Sequence, residues 1–253
     1  MYAEERQKAI LERARRDGRV DVTGLAAEFD VTYETIRRDL TALERHGVLR
    51  RVHGGAIPVE RLGFEPALNV RDSVLTEEKE RVAKAALAEL PDEGAILLDA
   101  GSTTGRLAEQ LPSDRELTVV TNSLSIALTL APRTNINLML LGGRLRTRTQ
   151  ATVDAWALRS LAESYVDVAF MATNGVSVER GLTTPDPAEA EVKRAMIASA
   201  RRCVLLADHT KVGNDHFARF AVVEDLDTII TDTGLATGLA EELEAAGPRV
   251  RVV

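Results

Sequence analysis

The 253-residue chain contains a single cysteine, Cys203, so no internal disulfide can form and nothing calls for an oxidising compartment. No apolar run reaches the roughly 18 residues that a membrane-spanning helix needs. The first residues are charged and amphipathic, without the apolar stretch or cleavage site of a signal peptide, so the cytoplasm is the expected location. There is no internal repeat and no low-complexity tract. His209 and His216, with Asp208 and Asp215, match no recognised metal-ligand spacing, and neither a metal nor a cofactor is expected. Cys203 opens an apolar strand and reads as a small core residue.

What is present is ordinary for a globular protein: 45% apolar and 28% charged residues, enough chain for one small and one medium domain. The net charge of −7 is uneven, because residues 1–57 carry a net of +1 and the remainder a net of −8. Only charge on the docking surface drives contact with phosphates, so an acidic second domain does not exclude a nucleic-acid partner.

Glu4–Asp17 reads as a helix with Ile10, Leu11 and Ala14 inward and Gly18 as its stop. Val22–Phe29 is a short second helix. Thr32 can cap a third, in which Ile36, Leu40 and Leu43 recur at i, i+4 and i+7 and bury one face. That spacing leaves Tyr33, Glu34, Arg37, Arg38 and Thr41 outward. Gly47 ends the helix, and Val48–Val52 with the Gly54-Gly55 turn reads as a β-wing. An Arg-bearing helix beside a basic hairpin suits the major groove and its flanking phosphates. The candidate DNA contacts are Thr32, Tyr33, Thr35, Arg37, Arg38, Arg50, Arg51 and His53. A three-helix protein-interaction module with a solvated charged face is the alternative.

Residues 58–75 read as a linker, interrupted by Pro58, Gly63 and Pro66. Glu77–Leu90 is a helix. Strands then alternate with helices: Ala95–Asp99, Leu117–Thr121, Asn137–Leu141, Val166–Met171, Cys203–Ala207, Thr228–Thr231 and Val250–Val253 are the strands. Thr104–Leu111, Leu124–Leu130, Ala188–Ala200 and Leu235–Ala246 are helices, and Trp156 is expected to pack another against the sheet. This alternation implies a mostly parallel sheet covered on both faces.

Asp99-Ala100-Gly101-Ser102-Thr103-Thr104 follows a strand and opens a helix, where backbone N–H groups, hydroxyls and the helix dipole can hold an anion. By spacing alone, a tight turn whose Ser and Thr cap the helix explains the segment equally well. Two further polar strand ends, Thr121-Asn122-Ser123 and Leu141-Gly142-Gly143, favour a ligand, since open α/β sheets bind beyond the carboxyl ends of their strands.

Several motifs appear together in order. They are Thr35-Ile36-Arg37-Arg38-Asp39-Leu40 with Leu43-Glu44, Arg51-Val52-His53-Gly54-Gly55-Ala56, the Asp99–Thr104 segment, Thr121-Asn122-Ser123, Gly142-Gly143, Gly181-Leu182-Thr183 and Ala207-Asp208-His209-Thr210-Lys211. The chain thereby resembles the DeoR family of bacterial regulators over nearly its whole length. Thr32 stands where that family usually has Ser, and either hydroxyl can cap. Asp154 stands where the family pattern Thr-x-Val-Gly has glycine, so the loop at 149–154 is expected to differ locally.

The resemblance implies a winged helix-turn-helix (residues 1–57) and a sugar-phosphate-sensing α/β domain (76–253) related to sugar-phosphate isomerases. It also implies roles for Lys193 and Lys211, which by residue type alone read as surface lysines, as cations of the sensor. Asp99 and Asp208 are candidates for hydrogen bonds to sugar hydroxyls. The effector set is then Asp99, Gly101, Ser102, Thr103, Thr104, Thr121, Asn122, Ser123, Gly142, Gly143, Lys193, Asp208 and Lys211. The implied protein is a homodimeric or homotetrameric repressor of a carbohydrate operon, bound to double-stranded operator DNA and released by a phosphorylated sugar. Fructose 1-phosphate is the first candidate, from likeness to fructose-operon regulators within the family. An activator of the same architecture is one alternative and an active isomerase another. Such isomerases carry acidic residues just past the strand equivalent to Val166–Met171. Here Ala172-Thr173-Asn174-Gly175 offers no acid or base, so no catalysis is expected.

Overall fold

Helical spacing of apolar residues builds the first elements, α1 (Ala3–Asp17), α2 (Val22–Phe29) and α3 (Tyr33–Arg45). The structure is a computed structural model and describes residues 3–45, 49–52, 54–58, 65 and 67–253. It divides into two units, Met1–Pro66 and Ala67–Val253. In the first, β1 (Val20–Asp21), β2 (Leu49–Val52) and β3 (Gly55–Pro58) form an antiparallel sheet in the order β1-β3-β2. Ile10, Ala14, Leu25, Ile36, Leu40, Leu43 and Leu49 are buried together against it. The Thr32 hydroxyl accepts from the Thr35 N–H at 3.2 Å, as a cap for α3 should. Gly55 has no alternative, because a Cβ there would lie 2.0 Å from the Val20 carbonyl oxygen. Asp39, in the middle of α3, is buried and pairs with Arg6 Nε at 2.6 Å and Gln7 Nε2 at 3.0 Å. That pair ties α3 to α1 and holds the orientation of the outward face.

The second unit begins with α4 (Leu68–Asp72) and α5 (Thr76–Ala86). Then follow β4 (Gly94–Leu98), α6 (Ser102–Gln110), β5 (Leu117–Thr121), α7 (Leu124–Leu130), β6 (Ile136–Leu140), β7 (Arg144–Arg146), β8 (Ala151–Val153), α8 (Ala155–Ala162) and β9 (Val166–Met171). The chain continues through β10 (Gly175–Ser177), β11 (Gly181–Thr184), α9 (Pro187–Ala198), β12 (Ala200–Leu206), β13 (Ala218–Ala221), β14 (Thr228–Thr231), α10 (Thr237–Ala245) and β15 (Arg249–Val252). Seven strands form one sheet in the order β15-β14-β12-β9-β4-β5-β6, and every pairing in it is parallel. Successive residues face opposite ways, so Leu97 joins one apolar cluster while Ile96 and Leu98 join the other, on the far face. None of the described helices is long and apolar enough to cross a membrane.

Two expectations need correction. The stretch 58–75 is not linker throughout: α4 lies within it, and the Leu68 N–H donates to the Arg148 carbonyl at 2.9 Å, docking it on the second unit. Trp156 does not pack its helix on the sheet. It is 68% exposed on the first turn of α8, which packs instead through Ala157 and Leu161. The hairpin β7–β8 and the small antiparallel sheet β10-β11-β13 were not expected.

Candidate functional site

A parallel sheet brings all of its carboxyl ends to one rim. The chain runs outward from β4 through β5 to β6 and then returns to β9 on the other side of β4, so the topology switches direction between β4 and β9. A crevice opens at such a point. At this one, Asp99 is fully buried: its Oδ2 pairs with Lys193 Nζ from α9 and accepts from the Ala172 N–H at 2.9 Å. Lys193 also donates to the Ala172 carbonyl at 3.0 Å and lies 5.4 Å from the centroid of the Phe220 ring. Asp99 Oδ1 is buried without a hydrogen-bond partner among the described residues. Burial pushes the Asp99 pKa up, against the opposing pull of Lys193 and the Ala172 N–H.

The hydroxyls and amides of the neighbouring loops are engaged within the protein. Thr104 Oγ1 donates to the carbonyls of Asp99 (2.7 Å) and Gly101 (3.0 Å), and Thr121 Oγ1 to that of Leu98 (2.7 Å). Asn122 accepts from the Ala100 N–H at 3.1 Å and donates to the Thr152 carbonyl at 3.3 Å, joining the ends of β4 and β5 to the middle of β8. Ser123 caps α7. Gly143, at φ +142°, is required by the close approach of β8, since a Cβ would fall 2.3 Å from the Val153 carbonyl. Gly142 beside it is exposed. Gly101 caps α6 without a side chain, so the first N–H groups of that helix, at Ser102 and Thr103, face no side-chain acceptor from the cap residue.

A second cluster lies beyond β12. Asp208 is buried and accepts from the N–H of Thr210 at 3.1 Å and from its hydroxyl. Burial alone would raise its pKa, but Lys211, Thr210 and Lys79 together hold it below the usual carboxylate value. Lys79, on α5, is itself buried and donates to the carbonyls of Arg71 and of Val74 (2.6 Å). Its pKa is pushed down to about 8 by burial, with Lys211 and Arg71 adding to the drop and Asp208 and Asp72 opposing it. Arg71 carries two buried guanidinium nitrogens, Nε and Nη2, that find no hydrogen-bond partner among the described residues. Lys79, Lys211 and Arg71 thus gather near Asp208 and Asp72, and two buried guanidinium nitrogens of Arg71 are left over. Such donors and positive charge can accept an anion. The His209 ring Nδ1 lies 2.8 Å from Asp232 Oδ1.

Sequence reasoning missed Lys79 and Arg71. A signal for Lys79 existed, since 79, 82, 83 and 86 share the buried stripe of α5 and only 79 is charged. Arg71 lay in the presumed linker.

In the first unit, α3 presents Tyr33, Arg37 and Arg38 to solvent, and Arg50 and Arg51 project from β2. A groove between helix and wing is lined by Glu34, Arg37, Arg38, Thr41, Arg45 and Arg51. The wing is latched to the helix: the Arg51 N–H donates to Glu44 Oε1 at 2.9 Å and its guanidinium to Thr41 Oγ1 at 3.3 Å. Arg45 is an addition to the expected set. Thr32 and Thr35 share a hydrogen bond at 2.9 Å, and His53 lies outside the described residues.

Residues 6–61 match the DeoR-like helix-turn-helix domain and residues 75–233 the DeoR C terminal sensor domain. The chain belongs to the DeoR family. It is a DNA-binding transcriptional regulator. The HTH-type transcriptional regulator GlpR of Haloferax volcanii is 38% identical to this regulator over 99% of its chain and 98% of the relative's. The glycerol-3-phosphate regulon repressor of Escherichia coli K12 is 29% identical over 92% of each. Among solved structures, ribose 5-phosphate isomerase A of Methanocaldococcus jannaschii is similar over 54% of each chain, at 19% identity and a TM-score of 0.40. The full-length sorbitol operon regulator SorC of Klebsiella pneumoniae is similar over 76% of this chain and 86% of its own, at 11% identity and a TM-score of 0.39.

Proposed function

We propose that this DeoR regulator represses a carbohydrate-catabolism operon in the cytoplasm and leaves its operator when a phosphorylated sugar occupies the sensor. The observation that carries the effector class is the pair of unpartnered, buried guanidinium nitrogens of Arg71 beside Lys79 and Lys211. A neutral sugar has no use for three cations, whereas a phosphate offers three acceptor oxygens to them. Ser102 and Thr103, at the uncapped start of α6, add N–H donors and the positive end of a helix dipole. Asp99, with its unpartnered Oδ1 and its partner Lys193, is suited to the sugar's hydroxyls. A relative named for a glycerol-3-phosphate regulon supports a phosphorylated cue. Fructose 1-phosphate heads the candidates to be tried.

On the DNA side, Arg37, Arg38 and Tyr33 would enter the major groove, with Thr32 and Thr35 at the helix start and Arg45, Arg50, Arg51 and His53 meeting backbone. Release follows if the sugar phosphate binds the DNA-incompetent arrangement more tightly than the competent one, and the difference in affinity sets the switch. The segment after β9, Ala172-Thr173-Asn174-Gly175, supplies no acid or base, and Asp99 at the crevice is engaged by Lys193; both support a sensor and not an isomerase.

The test is operator release by the Lys211→Met protein. That change keeps most of the apolar stem and removes the charge, so the fold should persist and DNA should still bind while the effector is ignored. Release at the wild-type sugar-phosphate concentration would remove Lys211 from the site. Equal affinity for a sugar and its phosphate in calorimetry would overturn the effector class.

A further inference from the structure

Helix α3 carries three acidic residues, and the fold employs two of them. Asp39 is buried against Arg6 and Gln7, and Glu44 holds the wing by accepting from the Arg51 N–H. Glu34 has no such task. It stands in the first turn, one helical turn before Arg37 and Arg38, and its side chain is 64% exposed. Its carboxylate lies 3.7 Å from Arg38 Nε, longer than a hydrogen bond, and that arginine is 81% exposed. A pair so open contributes little to stability, and both groups can turn to another partner.

Among the described residues that line the groove between α3 and the wing, Glu34 is the one acid beside Arg37, Arg38, Arg45 and Arg51. A carboxylate on that face works against binding to any duplex, because the phosphates carry its own sign. Only a hydrogen-bond donor opposite it offsets that cost. An ionised carboxylate is acceptor-only, and in the major groove the bases offer two donors, the amino groups of cytosine and adenine. Adenine sets its N7 acceptor beside the amino group, and that lone pair repels a carboxylate. Cytosine has no acceptor of its own there. Its paired guanine does, and the O6 and N7 of that guanine suit an arginine. A carboxylate beside a guanidinium, as in Glu34 and Arg38, thus matches the donor and the two acceptors of one C·G pair.

We propose that Glu34 reads a cytosine of the operator, accepting a hydrogen bond from its amino group while Arg38 takes the paired guanine. The inference rests on the reading that α3 enters the major groove. Helix-turn-helix proteins read base edges with the N-terminal residues of that helix, which is where Glu34 stands. Selectivity comes from both halves of the arrangement: the contact favours C·G, and the uncompensated charge penalises other pairs at that position. A carboxylate in a first turn also suits the helix dipole, a purely structural role, and the experiment separates the two.

The full-length chain selects duplexes from a randomised library, and affinity is then measured for the selected sequence and its single-pair changes. The wild type should prefer C·G at one position by at least about fivefold. Glu34→Ala should lose that preference and keep those at the other positions. Glu34→Gln should move the preference to A·T, because an amide supplies both the acceptor and the donor that adenine's edge takes. Circular dichroism confirms that each variant is folded. Should both fail to fold, the wild type decides on duplexes carrying N4-methylcytosine, which keeps its pairing but loses the amino hydrogen facing the groove. Affinity should fall when that one cytosine is modified, and no fall at any cytosine would overturn the proposal. A structural role predicts instead a lower melting temperature and an equal loss on every sequence. That outcome, an unchanged profile in Glu34→Ala, or a loss confined to an A·T position would each overturn it as well. The double variant Arg37→Ala with Arg38→Ala then tells which premise failed: unchanged affinity there removes α3 from the groove, and lost affinity there removes Glu34 alone.

Discussion

Asp154 offers a sharp test of how backbone strain is held in this sensor. It stands at φ +77° and ψ −169°, a region that glycine enters freely and other residues occupy at a cost of about 1–3 kcal/mol. The loop at 149–154 therefore keeps a glycine-like backbone at 154 despite carrying an aspartate. The side chain offsets little of that cost. Its contact with Arg144 Nε at 2.7 Å joins two largely exposed groups, and a screened pair of this kind contributes about 0–1 kcal/mol. It makes no side-chain cap bond to α8. Replacing Asp154 with Gly releases the strain, removes the pair, and adds about 0.4–1 kcal/mol of unfolded-state entropy. The balance is a stabilisation of about 1 kcal/mol, or roughly 2–4 °C in melting temperature for a unit of this size. Asp154→Ala is the decisive companion, because it removes the same side chain but keeps the strain. At an ordinary position Gly is the less stable of the two by about 0.4–1 kcal/mol. Here the order should invert. Calorimetric melting of both variants reads it directly, and a glycine variant no more stable than the alanine variant would refute the strain.

Removing Arg37 and Arg38 together should weaken operator binding in fluorescence anisotropy by at least tenfold, since each base contact is worth about 1–3 kcal/mol; unchanged affinity would take α3 out of the groove. Wild-type affinity should also fall steeply between about 50 and 200 mM salt as counterions are released, and a flat dependence would point to a protein partner. Lys79 predicts a pH effect with a defined sign. Its pKa of about 8 lies below the unfolded value of 10.5, so the unfolded chain binds more protons between those limits and stability should rise with pH across that window. The Lys79→Met protein should lose this rise, and a wild-type curve that is flat or matches the variant would contradict the burial. A phosphate beside Lys79 raises its pKa again, so effector binding near pH 8 should take up protons, visible as a buffer-dependent heat in calorimetry.

The parts of this fold that could be read from sequence are those where burial is regular. All seven strands of the large sheet were placed, and the inner ones, buried on both faces, appear as apolar runs such as Val166–Met171. The apolar stripe of α3 was equally plain. The hairpin β7–β8 and the small sheet of β10, β11 and β13 were not, since strands of three or four residues, such as Gly175–Ser177, are too short to show a period. Trp156 was misplaced because size argues for burial while position in the first turn of α8 decides against it. At the site, strand ends were found from their polar residues, but whether a hydroxyl faces a ligand or its own backbone depends on rotamers that spacing does not encode. Thr104 and Thr121 turned inward. Lys79 was overlooked because a charge inside an apolar stripe looks like an irregularity until its neighbours are known, and Arg71 because its short helix falls in the stretch read as linker.

Among the described residues each apolar cluster lies within one unit: one is built from residues between Ile10 and Ala56, and the other two from Val82 onward. Side chains that share no core are substituted nearly independently, with additive effects on stability. If, as proposed, the operator is read by α3 and the wing and the cue by the strand ends, a change in either is made within its own core. Address and message can be revised in separate steps of descent, or exchanged between relatives by joining one regulator's reader to another's sensor, without either half having to be repacked.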